Sequence, residues 1–117
     1  MMLPWEVRRS VLWWRTRRRP EVAVRYLDAL VAEMQVDGWR FVRLYRPEEF
    51  LIPGPLLWVY VRDVGIAVSV LAVPGGAWSY YEAKRGRAGF LADCGNAGAA
   101  AEVIANLLKR RMFPGTW

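Results

Sequence analysis

The chain has 117 residues, of which 55% are hydrophobic, so it is long enough for one domain with a proper core and too short for two ordinary domains. It contains no histidine, which excludes Ser-His and Cys-His nucleophilic systems and the common histidine-based zinc and iron sites. Five of the six net positive charges fall in residues 1–20, where six arginines stand against one glutamate.

Residues 1–20 are predicted to form a basic arm, separate from a single domain over residues 21–117. On a helical wheel the apolar positions of residues 5–19 fall on both sides, with arginines between them, so no amphipathic helix is predicted. A flexible arm, a short helix packed on a partner, and upstream sequence read from a wrong start codon all fit this pattern. The arginines of the arm are Arg8, Arg9, Arg15, Arg17, Arg18 and Arg19. Interleaved with tryptophans, they would suit a nucleic-acid backbone and its bases, and equally an anionic membrane surface.

The first clear helix is predicted over residues 21–36. Pro20 suits a first-turn position, and apolar residues from Val24 to Met34 recur at helical spacing. Gly38 can adopt the left-handed conformation that favours a helix stop. This segment is therefore expected to pack one apolar stripe against the rest of the domain.

Five strands are predicted next, separated by turn-forming residues. Their expected ranges are 39–46, 56–62, 66–73, 77–83 and, for a short fifth strand, 88–92. A second helix is predicted over residues 97–111, with Asp93 or Asn96 as its cap. The pattern predicts an α+β fold, α-β-β-β-β-(β)-α, in which an antiparallel meander of four or five strands carries both helices on one face.

The short turns predict which side chains share a face of this sheet. If residues 63–65 and 74–76 are three-residue hairpin loops, one face carries an aromatic and charged set: Trp58, Tyr60, Arg62, Trp78, Tyr80 and Glu82. The other face carries smaller aliphatic residues such as Leu57, Val59, Leu71 and Val73, and the helices are expected there. The reverse arrangement stays open, because a one-residue slip in either turn exchanges the faces.

The single cysteine, Cys94, cannot form an internal disulfide and fits a reducing cytoplasm. It stands just before the last helix, where a helix dipole can lower a thiol pKa, but we interpret it as a small buried hydrophobe. The longest apolar run, residues 65–74, is too short to span a bilayer, so no transmembrane segment is expected. No metal site and no cofactor are predicted.

The chain resembles a loose class of small, uncharacterised actinobacterial α+β proteins. The resemblance is carried by Asp37-Gly38-Trp39 at the end of the first helix, by the sequence PGGAWSYYEA of residues 74–83, and by AGAAAEVIANLL of residues 97–108. It is a resemblance of layout, and it implies no activity and no catalytic residue.

Aromatic residues and arginine are the types that protein interfaces enrich. The leading hypothesis is therefore a non-enzymatic interaction module, with a homodimer as one form, that binds its partner through the aromatic set defined above. The alternative is a nucleic-acid-binding protein that uses the arginine arm. A small histidine-free enzyme such as a nuclease comes third. In it Lys84, Arg85 and Arg87 would bind a phosphate, with Glu82 and Tyr80 nearby as possible catalytic groups. We interpret these basic residues as a solvated turn, and no catalytic residue is assigned.

Overall fold

The structure is a computed structural model that describes residues 5–46 and 54–112, and for residues 5–10 the backbone alone. The helices of this part of the chain are α1 (Trp5–Arg18), α2 (Pro20–Gln35) and α3 (Ala97–Met112). The strands are β1 (Arg40–Leu44), β2 (Leu56–Val61), β3 (Val64–Ala72), β4 (Trp78–Glu82) and β5 (Phe90–Asp93). They form one antiparallel sheet in the order β1-β2-β3-β4-β5, which confirms the predicted α+β meander.

Local sequence signals explain where helices α2 and α3 begin and end. Pro20 lies in the first turn of α2, and Gly38 takes a φ of +83° just beyond its C-terminus. At α3 the Asn96 side-chain oxygen accepts a hydrogen bond from the Ala99 amide at 3.0 Å, so Asn96 and not Asp93 caps this helix. Three basic residues occupy the last turn of α3, where the helix dipole favours cations.

Helices α2 and α3 cover one face of the sheet, as predicted, and the core lies between them and the strands. The helices contribute aliphatic residues at helical spacing, and the strands contribute every second residue. The residues that exclude solvent completely or nearly so include Leu27, Leu30, Met34, Ile104, Leu108, Leu57, Val59, Ile66, Val68, Val70 and Tyr80. We call this side of the sheet the covered face.

The predicted pairing of β2 with β3 is wrong, whereas that of β3 with β4 is confirmed. Val61 lies opposite Val64, so residues 62–63 form a two-residue turn in place of the expected three-residue loop at 63–65. Between β3 and β4 the loop at 74–76 has the expected length, and Val70 lies opposite Tyr80. Side chains alternate between the two faces along a strand. The observed β2–β3 register therefore places each side chain of β3 and β4 on the face opposite to the one predicted, when the side chains of β2 are taken as the reference.

The turn between β2 and β3 uses Arg62, not Gly65, as its left-handed residue. Arg62 has a φ of +55°, a conformation that glycine adopts far more readily. Gly65 instead stands inside β3, where a Cβ atom would lie only 2.8 Å from the Cε2 and Cη2 atoms of Trp58. The glycine therefore makes room for an indole ring that lies across the strand, and it is unavailable to the turn.

Helix α1 docks on the sheet through one of its sides, in a region predicted to be a separate arm. Leu12 is buried, and the Thr16 hydroxyl accepts a hydrogen bond from the Ala72 amide at 2.9 Å. The Arg15 guanidinium donates to the carbonyl oxygens of Val73 and Ala77, at 3.2 and 2.9 Å. The pairing of β2 with β3 ends before Ala72, so the backbone at this end of β3 lacks a strand partner on the β2 side. Helix α1 binds that backbone in place of a strand.

Candidate functional site

The side of the sheet opposite α2 and α3, which we call the open face, is the first candidate surface. Its side chains come from all five strands, as the pairing register places them: Arg40, Val42, Leu44, Leu56, Trp58, Tyr60, Gly65, Ala67, Ser69, Leu71, Ser79, Tyr81, Phe90 and Asp93. Trp58, Val42 and Phe90 are exposed to 37%, 42% and 55% of their surfaces. Large apolar side chains thus remain in contact with solvent on this face.

On the open face, aromatic side chains lie on both sides of a row of small residues, and we call this arrangement the trough. Its floor is the small-residue row of β3, in which Ala67 and Ser69 are half-buried. On one side stands the Trp58 indole of β2, held down on the sheet by the absence of a side chain at Gly65. On the other side the buried Tyr81 packs edge to face with the exposed Phe90, with ring centroids 5.8 Å apart. The charged strand residues of this face, Arg40 and Asp93, lie on its outer strands, and Arg87 from the connection between β4 and β5 lies over the Tyr81 ring.

The predicted partner-binding set does not lie on one surface, which corrects the sequence-based assignment. Trp58 and Tyr60 lie on the open face, and Arg62 lies in the adjoining turn. Trp78, Tyr80 and Glu82 lie on the covered face with Val68 and Val70. The prediction failed because the turn between β2 and β3 has two residues and not three. This difference shifts the register, so the residues of β3 and β4 lie on the face opposite to the one predicted relative to β2.

The residues on the covered face have structural partners. Tyr80 is fully buried and its hydroxyl donates to the Tyr26 carbonyl oxygen at 2.6 Å. Burial is the main reason that the pKa of Tyr80 is raised. Glu82 is buried, and its carboxylate accepts a hydrogen bond from the Arg111 guanidinium at 3.0 Å. The hydrogen-bonding groups of Tyr80 and Glu82 are thus satisfied by other residues of the same chain and are not presented to a partner.

The outer side of helix α1 is a second candidate surface. Arg17 lies over the Trp13 ring at 5.1 Å, and Arg18 lies over the Trp14 ring at 5.4 Å. Trp13 and Trp14 expose 57% and 56% of their surfaces. The two pairs are cation–π contacts between residues four apart on one helix, and they leave the indoles available to solvent.

The other predicted arginines of the arm are distributed differently. Arg15 is used to dock α1, with its guanidinium also 5.5 Å from the centre of the Trp78 ring. Arg19 pairs with Glu21 at 2.6 Å, and this contact lowers the pKa of the Glu21 carboxyl group. Arg8 and Arg9 belong to the helix, but their side chains lie outside the described part of the structure.

The groups weighed for catalysis are not brought together. Cys94 is buried, and burial raises the pKa of its thiol to about 12, so the thiolate is disfavoured at neutral pH. Lys84 and Arg85 are exposed in the 3₁₀ segment Ala83–Gly89, and Arg87 of that segment lies over the Tyr81 ring at 5.9 Å. Among the described residues, no group of three or more His, Cys, Asp or Glu side chains could hold a metal ion.

A groove of about 760 Å³ runs between α2 and α3 and contains Glu33, Asp37, Glu102 and Lys109. The Glu33 carboxylate lies 3.7 Å from the position that a Cβ of Gly98 would take, at the first turn of α3. A carboxylate is favoured there by the helix dipole, which gives Glu33 a structural role. The groove lacks a nucleophile paired with a base, so it suggests no reaction.

Among the residues of the open face that the sequence-based assignment missed are Val42, Leu71, Tyr81 and Phe90. Val42 could have been found, since alternation along β1 sets it apart from Phe41 and Arg43, which belong to the opposite face. Leu71 was assigned to the covered face by the wrong register, and Phe90 depends on an irregularity between β4 and β5 that no local signal announces.

Comparisons with known proteins do not add a family to these observations. The chain matches no protein-family model, and neither the curated proteins nor the solved structures include a significant match to it. Of the helices in the described residues, none combines the length and the apolar character needed to cross a bilayer. The two surfaces must therefore be interpreted from their own chemistry.

Proposed function

We propose that this chain is a non-enzymatic protein–protein interaction module that pairs with a second copy of itself through the open face of the sheet. The observation that carries the proposal is the trough described above, in which Trp58 lies flat over Gly65 and remains exposed. A tryptophan fixed in place before binding loses little conformational entropy on association, which is typical of interface anchors.

The size of the face suits a small interface. Five strands about 4.8 Å apart and about five residues at 3.3 Å each give a projected area on the order of 400 Å². Protruding side chains make the accessible area of the face larger than this projected area. It therefore approaches the roughly 600 Å² that each partner buries in the smallest stable interfaces. Two such sheets can stack face to face at about 10 Å.

A second copy is the partner that fits this surface best, because the face is complementary to itself. The aromatic wall of one copy can fill the small-residue floor of the other, and a two-fold axis makes that contact twice. The strand residues at the centre of the face, Trp58, Ala67 and Ser69, are uncharged, which matters because each chain carries a net charge of +6. Two chains of the same positive charge repel each other. Contact through uncharged residues keeps their basic side chains farther apart than contact through a basic surface would.

Sedimentation equilibrium of the native chain at concentrations up to about 100 μM tests this proposal. We expect a monomer–dimer equilibrium that Trp58→Ala weakens by about 30-fold in Kd, as central aromatic anchors usually do. Ala67→Arg should weaken it at least as much, because it places a charge on the floor of the trough and leaves Trp58 in place.

The matched control is Trp13→Ala, which removes an equally large and more exposed indole from helix α1. It should leave the equilibrium unchanged. A native chain that stays monomeric throughout this range would contradict the proposal, as would equal losses in Trp13→Ala and Trp58→Ala. Thermal melts of each variant show whether the monomer is still folded.

A further inference from the structure

We propose that the outer side of helix α1 is a binding site for single-stranded nucleic acid, in which Trp13 and Trp14 stack on bases and Arg17 and Arg18 contact phosphates. This site is independent of the open face, and neither proposal requires the other. It rests on the way in which α1 is held and on what its free side presents.

The docked side of α1 fixes the helix to the domain. Leu12, Arg15 and Thr16 recur at helical spacing on that side and bind the end of β3. Thr16 also donates to the Leu12 carbonyl oxygen at 2.8 Å, so its hydroxyl is used as both donor and acceptor. The remaining side of the helix is therefore held in one orientation.

The free side presents two adjacent copies of the same unit, an arginine stacked on an exposed indole. The guanidinium groups lie 5.1 and 5.4 Å from the ring centres, which holds the long arginine side chains close to the rings. Single-stranded nucleic acid is recognised by this combination, in which flat rings stack on bases and cations follow the backbone. Because Trp13 and Trp14 are both exposed, the helix offers one strand two stacking positions.

The charge of the region complements a polyanion. Residues 11–21 hold four arginines and one glutamate, and that glutamate, Glu21, is already paired with Arg19. Two of the other arginines, Arg17 and Arg18, lie on the same side as the exposed indoles. Binding would displace counterions from the phosphates, so affinity should depend steeply on salt.

An anionic membrane surface is a less suitable ligand for the same helix. Helices that lie in a membrane interface bury a continuous apolar face and have strong amphipathicity. In α1 the arginines alternate with the apolar residues around the helix, and its amphipathicity is almost absent. A strand of nucleic acid requires alternating rings and charges instead, which is the pattern found here.

Fluorescence anisotropy with a labelled oligodeoxythymidylate of about 16 nucleotides tests the inference. The native full chain should bind it, and Trp13→Ala with Trp14→Ala should weaken binding by about tenfold or more. Arg17→Ala with Arg18→Ala should also weaken binding, and should reduce the slope of log Kd against log salt concentration by about 1.4. Arg17→Lys with Arg18→Lys keeps the charge and should retain the salt slope.

The matched control for charge is Lys109→Ala with Arg110→Ala, which removes two exposed cations from the end of α3. The matched control for an exposed apolar side chain is Val103→Ala, also on α3. Both controls should retain native affinity, and circular dichroism confirms that each variant is folded.

Three results would overturn the inference. The first is absence of oligonucleotide binding by the native chain. The second is an equal loss of affinity in the α1 and α3 double variants, since binding would then follow net charge alone. The third is binding to vesicles of phosphatidylserine and phosphatidylcholine without binding to the oligonucleotide, which would assign α1 to a membrane surface.

Discussion

Leu57 and Trp58 are neighbours in β2, yet they lie on opposite faces of the sheet and in opposite environments. Leu57 is fully buried beneath α2 and α3, whereas Trp58 lies across Gly65 with more than a third of its surface exposed. The covered face uses branched aliphatic residues that fill space between helices and strands. At the centre of the open face the Trp58 ring lies over Gly65. The open face is not exposed throughout, since Ser79 and Tyr81 of β4 are buried there, but Trp58 shows that an apolar strand residue need not belong to the core.

The largest effect expected from this comparison is a difference in stability between Leu57→Ala and Trp58→Ala. Leu57→Ala leaves a cavity in the core and should lower the free energy of unfolding by about 2–5 kcal/mol. Trp58→Ala removes a larger side chain but should cost less, about 1–2 kcal/mol in the monomer, because more than a third of the indole is already hydrated and its removal leaves no closed cavity. Urea unfolding at a concentration too low for self-association measures both. A Trp58→Ala cost as large as that of Leu57→Ala would show that the open face is part of the core.

An intermediate effect is expected at Gly65. In Gly65→Ala the new methyl group would lie about 2.8 Å from two atoms of the Trp58 ring, which is too close, so the indole must move. We expect the substitution to lower the free energy of unfolding by about 1–3 kcal/mol through this overpacking.

A double-mutant cycle isolates that contact. In a Trp58→Ala background, Gly65→Ala should cost nothing or stabilise the chain by up to about 1 kcal/mol, because alanine is favoured over glycine inside a strand. The same cost in both backgrounds would mean that Gly65 serves the backbone and not the tryptophan. Urea unfolding of the four proteins completes the cycle.

The smallest effect is expected at the turn that decides which residues share a face. Arg62 has a φ of +55°, so Arg62→Gly should relieve backbone strain and raise the free energy of unfolding by about 0.5 kcal/mol. Asp63→Gly is the matched control, since it adds the same freedom to the unfolded chain without relieving a left-handed residue, and it should destabilise. Equal destabilisation by the two substitutions in thermal or urea unfolding would contradict the two-residue turn.

Much of the fold could be predicted from the sequence because its signals are local. Apolar spacing identified α2 and α3 to within one residue at each end, and turn residues separated the five strands. The loop at 74–76 was also predicted, since Pro74 and two adjacent glycines leave few alternatives. The burial of Cys94 follows the ordinary behaviour of a lone cysteine in such a domain.

The composition of the two faces was decided by tertiary structure. Local preference favours Gly65 for the turn between β2 and β3, but this glycine is required beneath Trp58, and Arg62 adopts the left-handed conformation in its place. Because side chains alternate with a period of two, that single displacement exchanged the faces of β3 and β4. It moved Tyr80 and Glu82 into the core and Leu71 out to the open face.

The position of α1 was likewise beyond the reach of the sequence alone. Its wheel shows no apolar stripe, because the helix is held by one buried leucine and by polar contacts from Thr16 and Arg15 to backbone atoms more than fifty residues away. Periodicity detects a helix that buries a continuous stripe and misses one that completes a strand edge. The sequence by itself determined the elements from α2 to α3 and their order. Contacts between distant residues determined which side of each element faces the core and which stays open.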